Sequence, residues 1–391
     1  MSNVSVSAKK PPLFHITKRS KSQIAWYYAW CIRLGAFVAA LLINALFVYL
    51  VVGVDPINFY QTMLKGAFGE GFLWPTIKTA AKLLCIAVAL APAFKMRFWN
   101  IGAEGQVLVG GIAAATIMFY FSDLPPVVII LLMFLVSMIA GAVWGVIPAI
   151  FKAKMNVNET LFTLMMNYIA MNLVNYFYDL WRGPKTALGK INQSTHAGWF
   201  SSLWEERDAN GYLIRDPDAP FFQDSDFWFV VIIGIVAILM YFYLKYTKQG
   251  YEIAVVGESQ NTARYAGISV KKVIIRTMIL SGAICGLCGF LVVSCQSNTV
   301  STTMAGGYGF TAIIVAWLSK FNSFTMAGVS VLIVALEQGA AQMTNEYGLQ
   351  GFSAAASSVM VGIMLLMIVG SEFFIHYKVM VRKSSREVAK A

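Results

Sequence analysis

The sequence predicts an all-α, polytopic membrane protein with about ten transmembrane helices and both termini cytoplasmic. Three observations carry this expectation. Of the 391 residues, 58% are hydrophobic and only 13% are charged, where a soluble domain carries roughly 25% charged residues. Apolar runs near the ~20 residues that a spanning helix needs recur along the chain. The net charge of +11 is gathered in short stretches between those runs. That is the positive-inside distribution and not the basic face of a nucleic-acid binder.

Residues 1–33 read as a basic cytoplasmic segment, with Lys9, Lys10, Lys18, Arg19, Lys21 and Arg33 and no acid. No cleavable signal peptide is visible, so the first apolar run is expected to be a retained anchor. Residues 34–372 form the transmembrane domain. Its expected spans are 34–54, 76–94, 103–121, 127–151, 161–180, 227–244, 273–293, 309–318, 326–342 and 352–369. Lys95, Arg97, Lys152 and Lys154 fall on the cytoplasmic side, as does 246–272, where basic residues outnumber Glu252 and Glu258. The loop 182–226 has seven acids against five bases and falls outside. The tail 373–391 is basic again. The eighth span is short and is expected to be broken or re-entrant, which lipid tolerates only when protein or a cavity shields it. The polar loop divides the chain into halves of five spans. Each half holds a Gly-rich polar segment, 100–111 and 306–310, and interrupted segments in corresponding positions point to a transport site.

Polar residues at bilayer depth are the candidate functional groups. "WNIGAEGQVLVGGIAAA" carries Asn100, Glu104 and Gln106 into the third span. A charge at mid-bilayer costs about 3 kcal/mol on insertion scales. Asn100 can cap this helix and Glu104 answer its dipole, all three can face a hydrated cavity, and the two readings are compatible. "NVNETLFTLMMNYIAMN" places Asn158 and Glu159 at the start of the fifth span and Asn167 and Asn172 deeper. Buried asparagine serves equally as inter-helix glue. Lys78 and Lys82 are expected to snorkel to the headgroups. Gly141 with Gly145, and Gly282 with Gly286, form GxxxG pairs that permit close crossings. Cys285 and Cys288 form a CxxC inside an apolar helix and read as packing residues. There is no GxxxxGK[ST] phosphate loop, no nucleophile triad and no metal cluster, because His15, His196 and His376 lie outside the spans. Catalytic residues, metal and cofactor are accordingly not expected on this chain. "YEIAVVGESQNTARYAGISVKKVI" reads as a short helix over 258–267 ended by Gly267.

Four ordered stretches, "FWNIGAEGQVLVGG", "VNETLFTLMMNYIA", "AVVGESQNTARYAGISVKKVIIRTMILSGAICGLCG" and "GGYGFTAIIVAWL", resemble the permease subunits of bacterial ABC importers. The group is the one serving branched-chain amino acids, ribose-type sugars and nucleosides, and the likeness is strongest to nucleoside and simple-sugar permeases. The resemblance implies a dimer, expected to pair with a different second permease subunit, in the bacterial cytoplasmic (plasma) membrane. It implies cytoplasmic ABC ATPase subunits that bind ATP and Mg, and an extracytoplasmic substrate-binding protein or lipoprotein. It assigns ATPase coupling to Glu258, Asn261, Ala263, Arg264, Ala266 and Gly267. Ser259 and Gln260 stand where the family often has Asn-Pro, and Trp317 and Ser319 where it has a small residue and Gly. The expected translocation path is Asn100, Glu104, Gln106, Asn158, Glu159, Asn167 and Phe310, for a nucleoside or related simple sugar. Two rivals stay open: a stand-alone ion-coupled secondary transporter using Glu104 as its proton or sodium site, and a receptor or scaffold without flux.

Overall fold

Thirteen α-helices organise the computed structural model, which describes residues 14–18, 26–53, 55–204, 206–207, 213–214, 223–348 and 354–381. Much of the basic N-terminal segment, the expected span limits Val54 and Phe352, part of the 182–226 loop and the tail beyond 381 lie outside the described residues. The helices are α1 Trp26–Val52, α2 Pro56–Phe68, α3 Leu73–Lys95, α4 Ala103–Tyr120, α5 Pro126–Met155, α6 Glu159–Arg182 and α7 Ser225–Tyr246. They continue with α8 Lys248–Glu258, α9 Gln260–Tyr265, α10 Val270–Leu291, α11 Tyr308–Leu318, α12 Ser323–Tyr347 and α13 Ala354–His376. Two short antiparallel pairings join Phe14–Lys18 to Tyr377–Val381 and Glu206–Arg207 to Leu213–Ile214.

Among the described residues, eight helices are long and apolar enough to cross a membrane, and they coincide with eight of the ten expected spans. The other two differ for separate reasons. The fifth, α6, has 24 residues but too many amides and phenols on its flanks to count as apolar. The eighth, α11, has 11 residues; at 1.5 Å per residue it reaches ~16 Å, about half of the hydrocarbon core.

One compact unit comprises residues 1–67 and 336–391. Its antiparallel helices α1 and α13 are tied by an Arg33–Glu372 ion pair and by the Asn44 amide donating to the Met360 carbonyl at 3.2 Å. Phe59 and Met63 of α2 pack with Met343, Met360 and Met364. Helix α2 was not among the expected elements. Its 13 residues are amphipathic and too short to span, so no apolar run marks it.

The second unit comprises residues 68–335, and α10 is its axis. Gly282, Gly286 and Gly289 lie along the face of α10 wedged between α4 and α5. A Cβ at Gly286 would stand 2.1 Å from the Ser137 carbonyl oxygen, and one at Gly282 would stand 2.3 Å from that of Gly141. The two GxxxG pairs therefore meet each other. Side chains mark the helix ends. Asn156 closes α5 at φ 53° and Asn158 opens α6, accepting from the Thr160 and Leu161 N–H groups at 3.0 and 3.3 Å. Beyond α10 the chain makes a π-helical turn, Val292–Ser297, and reverses at Asn298, φ 51°. The first part of the 182–226 loop folds onto this end. Ile191 N–H donates to the Asn298 carbonyl at 2.8 Å, Ser294 Oγ to that of Gly198 at 2.8 Å, and the Asn192 amide to that of Met118 at 2.6 Å.

Candidate functional site

The turn that leads into α4 is held from both flanks by buried amides. On the α10 side, Asn100 pairs with the Gln106 amide in both directions at 3.4 Å and reaches Ser281 Oγ at 3.5 Å. Its Oδ1 also accepts from Gly102 N–H at 3.0 Å. On the α6 side, Asn167 accepts from Gly105 N–H and donates to the Ile101 carbonyl, both at 2.9 Å, while Thr163 Oγ1 takes Ile101 N–H at 3.2 Å. All four amide-bearing and acidic groups of this turn, Asn100, Glu104, Gln106 and Asn167, are at most 2% exposed. Buried polar atoms cost little only when partnered in this way.

Glu104 lies in the first turn of α4, as expected, and its carboxylate finds hydrogen-bond donors on another element. Its Oε1 accepts from Gly307 N–H at 2.9 Å and its Oε2 from Gly309 N–H at 2.8 Å. These groups open α11, whose first turn has no intrahelical acceptor for them. Glu104 therefore caps a helix two hundred residues away, not its own. Charge-assisted hydrogen bonds contribute about 1.5–3 kcal/mol each, so two of them offset the roughly 3 kcal/mol that a mid-bilayer charge costs. Gly309 is required by proximity, since a Cβ there would stand 2.5 Å from the Glu104 backbone nitrogen.

The eighth crossing is thus a discontinuous one. An irregular segment, 298–307, descends from the end of α10 past α4, where Met304 sits against Gly111. The half-helix α11 then starts at the Glu104 level. Lys82 of α3 stabilises the irregular part, its ammonium donating to the Met304 carbonyl at 3.4 Å and lying 5.3 Å from the Tyr308 ring centroid. This corrects the expected snorkelling: Lys82 turns inward because bare carbonyls await it there, and Lys78 pairs with Asp226 at the start of α7.

Of the remaining expected path residues, Glu159 meets this network through its backbone carbonyl, which accepts from Thr163 Oγ1 at 2.8 Å. Asn158 is the exposed cap of α6, Glu159 pairs with Lys152 at 2.8 Å, and Phe310, one residue beyond the capped glycine, is exposed. Trp317, the large residue at the end of α11, stacks on Trp99 with centroids 5.4 Å apart and planes at 18°. Sequence inspection missed Thr163, Ser281 and the Gly307 and Gly309 N–H donors; the backbone donors have no residue-type signature, and Thr163 and Ser281 are ordinary small helix residues.

At the α8–α9 corner, Gly257 packs so closely that a Cβ would stand 2.0 Å from the Lys95 carbonyl oxygen. Ser259 caps α9, accepting from Thr262 N–H at 3.2 Å, which is how a serine replaces the Asn-Pro start. Ala263 is buried and anchors the helix. Ile268 N–H returns to the Ala263 carbonyl at 2.9 Å and Gly267 takes φ +76°, the terminator expected for this residue. Glu258, Asn261, Arg264, Ala266 and Gly267 are exposed. So is Tyr265, at 95%, which the sequence reading did not single out.

A family model described as "Branched-chain amino acid transport system / permease component" matches residues 75–369. The chain is 30% identical over 349 residues to a guanosine ABC transporter permease protein of Bacillus subtilis, covering 87% of this chain and 93% of that one. It is 30% identical over 328 residues to a glucose ABC transporter permease protein of Haloferax volcanii, covering 83% of each. It is 29% identical over 326 residues to a nucleoside ABC transporter permease protein of Lactococcus lactis, covering 81% and 85%. With the family model matching residues 75–369 and these relatives covered over most of their length, the chain belongs to the family of branched-chain amino acid transport system permease components.

Proposed function

We propose that this ABC-type permease subunit forms the translocation path for a nucleoside or related simple sugar in the cytoplasmic membrane of a bacterium. The cargo is delivered by an extracytoplasmic binding protein or lipoprotein, and ATP is hydrolysed, with Mg, on a partner subunit docked at the α8–α9 corner. A second, different permease completes the path. One observation favours this cargo class over a branched-chain amino acid. Half-helix N-termini in transporters commonly receive the anionic group of a substrate, and here Glu104 already occupies the N-terminus of α11 with both oxygens. The Gly307 and Gly309 N–H groups are thereby taken by the protein's own carboxylate and are not offered to a carboxylate on the cargo. The cargoes named for the relatives, guanosine, nucleosides and glucose, carry no net charge.

The test is a mild-detergent purification of the tagged chain, expressed with its neighbouring genes, followed by mass spectrometry. The expected result is an ATPase subunit and a second permease in stoichiometric amount. Recovery of this chain alone, from membranes that still transport, contradicts the proposal. The α9 knob gives a second expected outcome. Tyr265→Ala leaves the amount of protein unchanged, because 95% of the side chain is exposed. It lowers ATP-driven uptake roughly tenfold, the share of a buried aromatic anchor in an interface. Equal uptake by the variant removes Tyr265 from the docking surface.

A further inference from the structure

Helix α6 combines two properties that do not fit a lipid-facing span. It packs along α4, which is itself long and apolar enough to cross, with Thr163 against Gly102 at the start of α4 and Asn167 and Ala170 against Gly105. A Cβ at Gly105 of α4 would stand 3.2 Å from that of Ala170, so the two helices share one depth. Yet α6 fails the composition of a crossing helix. The opposite face explains why. Tyr168, Asn172, Asn175 and Asp179 follow one another at helical spacing along a single stripe. Tyr168 is 57% exposed, with Asn172, Asn175 and Asp179 also exposed. Asn172 ties part of its amide back to the Tyr168 carbonyl at 2.8 Å, and Asp179 pairs with Arg182 at 3.1 Å.

The other helices of the same unit supply an internal comparison. The exposed residues of α5 include Leu131, Leu135, Ile139 and Val143, and those of α7 include Ile235, Leu239 and Phe242. Every one is apolar, as a hydrocarbon surface demands. On α6 comparable exposure is given to amides and phenols as well, and the polar stripe runs beside a flank that carries Ile169, Tyr176 and Leu180 and beyond a first part, Leu161 and Met165, that is apolar. Two environments therefore touch one protein: lipid on α5 and α7, and something polar on the stripe from Tyr168 onward.

We propose that the Tyr168–Asn172–Asn175 stripe of α6 is the water-facing wall of the cargo path, closed at its inner end by Met165 and Leu161. Its chemistry takes a neutral, hydroxyl-bearing ring compound: amides exchange hydrogen bonds with hydroxyls, and the Tyr168 ring offers a face to a heterocycle. The proposal rests on the permease reading given above and adds to it the residues that meet the cargo.

Cysteine accessibility in the whole transport complex tests it. In a Cys31→Ser background, which removes the exposed native thiol, single cysteines replace Asn172, Asn175 and Met165, and Ile139 and Leu239 as lipid-facing references. A membrane-impermeant maleimide is added to intact cells. The expected result is that Asn172→Cys and Asn175→Cys react about tenfold faster than the references, since thiolate forms in water and not in hydrocarbon. Met165→Cys is expected to react as slowly as the references. Labelling of the two stripe positions at the reference rate overturns the proposal, because it places the stripe against lipid or under a partner helix. The double variant Asn172→Ala with Asn175→Ala is expected to raise KM for nucleoside uptake about fivefold, the loss of one or two net hydrogen bonds. An unchanged KM also overturns it. Fast labelling in a complex that carries no nucleoside keeps the wet stripe and removes the nucleoside reading instead.

Discussion

Glu104→Ala is expected to lower nucleoside uptake by roughly tenfold to a hundredfold while the protein still reaches the membrane. The variant leaves the Gly307 and Gly309 N–H groups without their acceptor. An orphaned buried donor costs about 1–3 kcal/mol, and each 1.4 kcal/mol is about tenfold in an equilibrium. The cost falls on the start of α11 and not on the α4–α5–α10 packing, so the half-helix loses its fixed position before the unit loses its fold. Glu104→Gln is expected to fall between, because one amide oxygen can still accept while its NH₂ faces a donor. Uptake of labelled nucleoside at equal membrane content checks both, with the melting temperature in detergent as a second readout. Wild-type uptake by Glu104→Ala would show that the cap is dispensable.

Gly286→Leu is expected to leave no folded protein at all. The added side chain would project into the backbone of α5, with Ser137 O at 2.1 Å and Gly141 Cα at 3.2 Å from its first carbon. Overpacking a core costs about 1–3 kcal/mol when side chains can give way; main chains of neighbouring helices cannot. Gly234 on α7 has open space around it, so Gly234→Leu is expected to accumulate normally. Fluorescence-detected size exclusion of tagged variants separates the two. A monodisperse Gly286→Leu peak would mean that α10 does not pack between α4 and α5 as described.

The glycines show what one sequence discloses and what it withholds. GxxxG spacing announced close crossings at Gly141–Gly145 and Gly282–Gly286, but not that these two pairs face each other. Glu104 was conspicuous because lipid disfavours it, yet its partners are backbone N–H groups that no residue type betrays. The short eighth element was legible from 309–318 alone, because a run that cannot span must be shielded. Its irregular first half was not legible, since segment 298–307 depends on Lys82 of α3 reaching the Met304 carbonyl, a contact between residues 222 apart in sequence. Helix α2 escaped notice because amphipathic, non-spanning helices carry no long apolar run. The end of the short helix α9 read well, because Gly267 is a local signal that acts within one turn.

The most direct measurement is uptake of a labelled nucleoside into proteoliposomes holding this chain with its partner permease and ATPase, with the binding protein added outside. The expected result is accumulation that requires ATP and the binding protein and is indifferent to collapse of the proton and sodium gradients. Accumulation by this chain alone, driven by an ion gradient and insensitive to ATP, would contradict it and make Glu104 the ion site of a secondary carrier.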